Sequence, residues 1–598
     1  MKRRILIVGG GPAAISTAFH LTSRPGWQDE LEITVVQQGW RLGGKGASGR
    51  DLARGARIEE HGLHVWGGFY ENSFAMMRAC FDELHRPETC PIRSVEQGFV
   101  AQSHVAWGEV VGGEHRVWRL DFPENPQRPG DGAPVATSRQ ILARLAGWTA
   151  ALLRQLPRQE RENWRRRVRG ERSDAPWWEE HDLLRRTRVT LDLVAGVWRG
   201  ILADRVMSAG FASLDDLDLR DWLRRHGVAE ASLDAAPLRA FYDYFFAYED
   251  GDTARPRMAA GMGLHHMLRL LLAYKGALFW KMTAGMGDVV FAPLFELLSR
   301  RGVRFRFFHR LEDITLDDRG ERVVALRFAR QADTVDGAPY RPLVDVGGLP
   351  CWPSTPRWEQ LVGEPTPPEA MENPLLEGPR RGEWIVRAPD DVDAVVLAIP
   401  PGELPRVAPD VLRKHPRWRR MLAEVRPIQT LAAQVWCRPT AAAMGWPAPA
   451  TAATALPHPF ETWADMSQTL TSEAWAPGER PAYVAYFCGP MPTPSLPSGV
   501  DPDFVDAQHA AAESAAEAWF AAHLPRLLPG ARDASGWRAG SIVDRYVRSN
   551  VAPSERYVVT LPGAPRFQLT PEGSGLRNLA LAGDWLNTGL GGSVEGAV

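Results

Sequence analysis

The run Gly9-Gly10-Gly11-Pro12-Ala13-Ala14, set directly after Ile5-Leu6-Ile7-Val8, constrains this chain more than any other segment. Consecutive β-formers bounded by turn residues read as a short buried strand. A helix-like run, Ile15 to Leu21, follows the glycines, and a second strand is expected over Leu31 to Val36 after a loop containing Pro25-Gly26. Strand, glycine turn, helix and strand in this order form the dinucleotide fingerprint. In that reading Gly9 makes the tight turn, Gly11 lets the backbone approach a pyrophosphate, and Pro12 and Ala13 complete the contacting turn. Ala14 takes the third small position, where helix and strand pack closely. The free N–H groups and dipole of the helix N-terminus would stabilise the phosphate charge. The competing reading is an ordinary glycine-rich turn of an α/β protein.

One element departs from the pattern. An acidic residue is expected after the second strand, to accept hydrogen bonds from the ribose hydroxyls, and Gln37 and Gln38 stand there instead. A neutral amide accepts more weakly than a carboxylate, so binding should survive in weakened form.

Bulk properties exclude several classes. A chain of 598 residues argues for two to four structural units. Its 70 Lys+Arg against 72 Asp+Glu give a net charge of −2, without the basic footprint of a nucleic-acid binder. The 5 cysteines are scattered, with none of the close pairs of a zinc site, which fits a reduced, cytoplasmic setting. No secretory signal is visible, because Ile5 to Val8 is too short and runs into glycines. The most apolar later stretch, Met258 to Met282, is broken by Arg269, Lys275 and Lys281 and is no bilayer span, although a peripheral membrane contact stays open. His61 and His64, and His265 and His266, are close in sequence, but no carboxylate–histidine set accompanies them and no metal site is expected.

Further along, Gly39-Trp40-Arg41-Leu42-Gly43-Gly44-Lys45 resembles the Arg-x-Gly-Gly-Arg/Lys doublet of the flavoprotein superfamily of amine oxidases and phytoene-type desaturases. That resemblance implies FAD, with Gly43 and Gly44 letting the main chain run against the cofactor and Arg41 and Lys45 as cations beside the pyrophosphate. The segment from Leu579 to Trp585 reads as a strand ending in Gly583-Asp584, and that from Gly592 to Val598 as the start of a helix. In the same superfamily such an aspartate meets the ribityl–pyrophosphate part of FAD, and the helix start, here Ser593 and Val594, faces the flavin pyrimidine edge. The sequence stops at Val598, where that helix should only be beginning, so the natural chain is expected to continue.

The segment Glu60-His61-Gly62-Leu63-His64, continuing through Trp66, Gly68, Tyr70 and Asn72, resembles the stretch beside the isoalloxazine in plant and cyanobacterial-type carotenoid desaturases and bacterial squalene-processing relatives. By this resemblance His61, Gly62, Leu63 and His64 contact the cofactor, and Glu60 and His64 are candidate catalytic groups. Gly285-Met286-Gly287-Asp288, with a helix over Phe291 to Arg300 and a strand over Val303 to Phe308, is similar to the second unit of the FAD domain, placing the backbone near Leu311 at the adenine. Asp393 to Pro401 is similar to a later strand of the same domain. Amine oxidases usually carry an aromatic residue where Ser593 stands, which tilts the reading toward desaturases. A second fingerprint is not found, so electrons would pass to oxygen, a quinone or another small acceptor.

The implied fold class is α/β: a Rossmann-like, three-layer FAD-binding domain of the glutathione-reductase type, interleaved with an α+β substrate domain and a helical cap. The expected boundaries are 1–98, 283–424 and 546–598 for the FAD domain, 99–138 and 425–545 for the sheet domain, and 139–282 for the cap. Residues 338–379 carry ten prolines and read as a surface excursion of the FAD domain. Eight arginines between Arg154 and Arg172 read as a solvated face or a membrane-surface patch. The aromatic run from Phe241 to Tyr248 is divided between core and pocket. The implied activity is hydride removal from an activated C–H of a largely apolar, isoprenoid-like substrate to flavin N5. The alternatives are a flavin amine or amino-acid oxidase, and a reduced-flavin polyene isomerase without net redox turnover.

Overall fold

The computed structural model describes residues 2–111, 114–132, 137–155, 182–446, 449–533, 536–538 and 540–598. Its organising element is a parallel five-stranded sheet in the order Arg304–Arg306, Leu31–Val36, Arg3–Val8, Ala394–Leu397, Leu579–Leu581. We call Arg3–Val8 β1, the helix Pro12–Leu21 α1, and Leu31–Val36 β2.

Alternation along β1 shows why the strand reads as a continuous apolar run. Ile5 and Ile7 point into a core shared with α1 and the helices Glu71–Leu84 and Ala292–Arg301. Leu6 and Val8 point the other way, into a core closed by the antiparallel strands His309–Leu316, Val323–Arg330 and Gly382–Arg387. Both faces of the parallel sheet are therefore covered, as such sheets require, and the result is the expected three-layer α/β fold. Each side chain of this kind contributes roughly 1.5–3 kcal/mol by leaving water.

A second sheet has seven strands, ordered Ile542–Ser549, Thr430–Cys437, Tyr483–Pro490, Thr462–Asp465, Ala452–Thr454, His104–Val111, Glu114–Asp121. The helix Pro502–Ala522 lays Trp519 and Phe520 against Phe460 and Phe487 on it. Strand Ile542–Ser549 runs across the boundary expected at 545/546, so the sheet claims its last residues. The cap contains Ser138–Gln155, Asp182–Ala203 and Ala260–Leu272, but ends in a strand, Phe279–Met282, that pairs with Val65–Gly67 and Phe99–Gln102. Of the arginine-rich stretch, everything from 156 onward lies outside the described residues.

The proline-rich insertion is more than a surface excursion. Leu349, Cys351 and Trp352 are fully buried, and Trp40 Nε1 donates to Pro353 O at 2.9 Å. Prolines mark the turns, while the apolar residues between them complete the core beside Ala292–Arg301. Among the described residues, no helix is long and apolar enough to cross a membrane.

Candidate functional site

One cavity of about 310 Å³ begins at the β1–α1 turn and extends between the parallel sheet, the seven-stranded sheet and the cap. Its size falls within the range of small-molecule and cofactor sites, ~300–1,000 Å³. Backbone chemistry makes its first wall. Gly9 has φ +120°, and a Cβ there would stand 2.3 Å from Ala398 O, so only glycine fits. Gly11 faces Gly43 and Gly44 across an open gap that a larger side chain would fill. Helix α1 starts beside it with Pro12, without a side-chain cap and without an acid in its first turn, so its positive end is free to meet an anion.

Gly11, Pro12, Ala13 and Gly44 line the cavity, as does Gly9. Ala14 and Gly43 do not. Ala14 is fully buried under the helix. Gly43 donates its N–H to Gly10 O at 2.8 Å and, at φ +128°, shapes the loop from behind.

Arg41 and Lys45 line the cavity, but each is already paired. Arg41 donates from Nε and Nη2 to the two oxygens of Glu372 at 2.9 and 2.7 Å, and from Nη2 to His61 Nε2 at 3.0 Å. Its side chain is only 6% exposed, and a guanidinium so buried requires a carboxylate. Arg41, expected as a cation beside the pyrophosphate, lies on the cavity wall with its charge paired to Glu372. Lys45 Nζ pairs with Asp584. Because Arg41 can only donate, His61 accepts, and burial followed by the Arg548 and Arg41 charges holds its pKa well below the usual imidazole value.

Gln37 and Gln38 stand where expected, at the end of β2 on the cavity wall. Gln38 Nε2 donates to the backbone oxygen of Glu372 at 2.9 Å. The side-chain carbonyl of Gln37 leans on Gly10, 2.6 Å from where a Cβ would be.

Gly62, Leu63 and His64 line the middle of the cavity with His61, whereas Glu60 lies behind them. His64 Nδ1 approaches Glu60 Oε2 at 2.5 Å and its Nε2 approaches Lys45 O at 3.2 Å. Both partners are acceptors, so the ring satisfies them only when both nitrogens carry protons. Burial alone would lower the His64 pKa, but the Glu60 carboxylate outweighs it and raises the value. Glu60 Oε1 accepts from Met286 N at 3.0 Å, so both of its oxygens are in use. Glu60 thus orients the His64 ring and favours its protonated form.

Leu311 lines the end nearest β2, and Gly583, Asp584, Ser593 and Val594 line the opposite stretch. Ser593 Oγ accepts from Gly596 N at 3.0 Å, capping Val594–Ala597. The far end is apolar, with Phe246, Leu431, Cys488 and Tyr557 joining Leu63. Of the aromatic run, Phe246 alone reaches the cavity, and Phe241, Tyr242 and Tyr248 are core. Burial pushes the Cys488 thiol up to about 12, so it is an apolar surface rather than a nucleophile.

Two features escaped sequence reasoning. Glu372 enters from the insertion, more than 300 residues from Arg41 in the chain. Asp243, His458 and Glu461 bring their ligand-type atoms within 4.8 Å of one another where cap meets sheet. Burial pushes the Asp243 carboxyl up to about 7 and also raises Glu461, so this pair retains a proton. His265 and His266 stack on Phe211 and Phe245.

Comparison with known proteins agrees with the fold. Residues 7–80 match the family described as NAD(P)-binding Rossmann-like domain. Searching curated proteins gives no match. Among solved structures, an oxidoreductase from Methanosarcina mazei is 10% identical, with a TM-score of 0.51 over 99% of this chain and 97% of that one. Cyclohexylamine oxidase from Brevibacterium oxydans is 12% identical, with a TM-score of 0.47 over 100% and 96%. The chain thus shares the fold of the Methanosarcina oxidoreductase along nearly its whole length, with the Rossmann-like match confined to residues 7–80.

Proposed function

We propose that this protein is an FAD-dependent oxidoreductase that takes a hydride from an activated C–H of a largely apolar, isoprenoid-like substrate. The observation that carries the reading is the continuity of the cavity, from the glycine turn and uncapped α1 to the apolar end at Phe246, Leu431 and Tyr557. The residues present fit the cofactor: the gap between Gly11 and Gly44 is a cradle that a Cβ would fill, and Lys45 lies beside it. Bound flavin supplies a two-electron acceptor at N5. This chain's own residues do the rest. Lys45 and the α1 N-terminus hold the pyrophosphate, and Asp584 fixes Lys45. His64, whose protonated form Glu60 favours, would offer a positive charge on the cavity wall to a cofactor that gains negative charge when reduced. Phe246, Leu431 and Leu63 exclude water and orient the substrate without hydrogen bonds of their own. Oxygen, a quinone or another small acceptor takes the electrons afterwards.

The test follows the long-wavelength flavin absorbance of the purified protein under anaerobic conditions as candidate substrates are added. Bleaching by isoprenoid lipids and not by amines supports the reading. Bleaching by amines alone replaces it with an amine oxidase. Product formation without bleaching or acceptor consumption replaces it with an isomerase, and a preparation unable to hold flavin removes it.

A further inference from the structure

We propose that Glu372, on the proline-rich insertion, is the ribose acid of this site, accepting the hydroxyl hydrogen bonds for which the end of β2 provides no carboxylate. The inference rests on the FAD reading and names a residue within it.

The usual position has little to offer. Gln38 is tied through its amide N–H to the Glu372 backbone oxygen at 2.9 Å and has only a neutral carbonyl with which to accept, and the Gln37 carbonyl is turned onto Gly10. Glu372 shares the cavity wall with both. It also stands against Gly39, the next residue along: a Cβ there would lie 3.0 Å from Glu372 Cγ, and φ is +65°. Any other residue at position 39 would be strained and would push the carboxylate away.

The same loop holds Glu372 in place. Gln331 accepts from Gly39 N at 2.9 Å through Oε1 and donates to Met371 O at 2.8 Å through Nε2, tying the loop after β2 to the residue before Glu372. Asn373, itself buried, donates from Nδ2 to Glu369 Oε1 at 3.1 Å and closes the turn from the other side. Arg41 takes one lone pair from each carboxylate oxygen. Each oxygen keeps a second lone pair for a hydroxyl donor. The ligand chemistry this selects is a ribose with free hydroxyls; a 2′-phosphate would meet a carboxylate and be repelled.

The experiment uses the full-length protein stripped of flavin and compares ADP with 2′-deoxy-ADP by calorimetric titration. We expect wild type to bind ADP about ten-fold more tightly, the size of one charge-assisted hydrogen bond. Glu372→Gln brings the ratio close to one, whereas Gln37→Ala leaves it near ten. Three results overturn the proposal: a wild-type ratio near one, a ratio lost in Gln37→Ala, or a ratio unchanged in Glu372→Gln with both nucleotides weakened alike. In the last case Glu372 serves only to hold Arg41. Should Glu372→Gln not fold, Gln37→Ala and Gln38→Ala decide between the amides and the carboxylate: a ratio near ten in both supports Glu372, and a ratio lost in either overturns the proposal. If wild type binds neither ADP nor FAD, the FAD reading falls together with the proposal, which is distinguishable from the three results above.

Discussion

Replacing Asp288 with asparagine should destabilise the protein by about 3–5 kcal/mol, although the change alters a single atom type. The sequence pattern puts Asp288 in a glycine-rich nucleotide unit, but its carboxylate is the partner of Arg50. The two side chains are 1% and 0% exposed, and Arg50 Nε and Nη2 reach Asp288 Oδ2 at 2.9 and 2.8 Å. Arg50 Nη1 adds Ala56 O at 3.1 Å and Ser472 O at 2.6 Å. Burial works against the Arg50 charge, and the Asp288 charge more than compensates, so the guanidinium stays protonated. In Asp288→Asn that cation would stay buried with neutral hydrogen-bond partners only, and the Glu473 charge would act on it without a hydrogen bond. A loss of 3–5 kcal/mol multiplies the unfolded population by roughly 10²–10³ or more. Urea unfolding followed by tryptophan fluorescence measures it. The double variant Arg50→Met/Asp288→Leu removes both charges and should cost only about 1–2 kcal/mol, from the lost hydrogen bonds. An Asp288→Asn loss under about 1 kcal/mol, or a double variant as damaged as the single, would refute the buried-charge argument.

Three further outcomes follow from the site. Glu60→Gln removes the charge that raises the His64 pKa. The His64 cation contributes fully below the ordinary value of about 6.5 and is lost as pH rises through the raised one, so the alkaline limb of flavin reduction should move to lower pH in the variant, read by stopped-flow bleaching; an unmoved limb would refute the pairing. Gly11→Val fills the cradle between Gly11 and Gly44, and should abolish FAD retention while leaving far-UV circular dichroism unchanged. Asp243, with its carboxyl raised to about 7 by burial, binds a proton in the folded state that the unfolded state has released above about 4. It therefore gives stability that falls from about pH 4 to about 7. His458, lowered by burial to about 4, contributes the opposite slope. Wild type and Asp243→Asn should accordingly diverge as the pH of denaturation midpoints is varied between these limits; parallel curves would remove Asp243 from the pH response.

Local pattern carried the nucleotide half of the fold. Four apolar residues followed by glycines leave few alternatives, because Gly9 at φ +120° admits no side chain and α1 must begin where the turn ends. Resemblance, not local pattern, singled out Gly62 to His64, Leu311 and Asp584, which line the cavity. Pairings across the chain were not legible. Spacing cannot show that Arg41 spends its charge on Glu372, or that Glu60 accepts from Met286 N, because each partner arrives from a segment whose path depends on the whole fold. Proline content suggested a solvated insertion, whereas Leu349 and Trp352 decide its position by burial. The aromatic run shows the same limit: composition marked it as apolar, and only the turn at Phe246, with φ +44°, selects which ring meets the cavity.

The order of strands in the parallel sheet also sets a timetable. β1 and β2 leave the ribosome first, yet β1 finds its other neighbour only when Ala394–Leu397 has been made, with Ile5 opposite Ala394. The edge is completed by Leu579–Leu581, with Leu579 opposite Val395. At roughly 5–20 residues per second, the fingerprint strand waits on the order of half a minute to two minutes for a finished sheet. Until Ala394–Leu397 is made, roughly 20–80 s at that rate, β1 offers an unpaired apolar edge, the kind of surface that invites wrong pairing. Production of this protein should therefore respond more to chaperone supply and to the speed of translation than its folded stability alone would indicate.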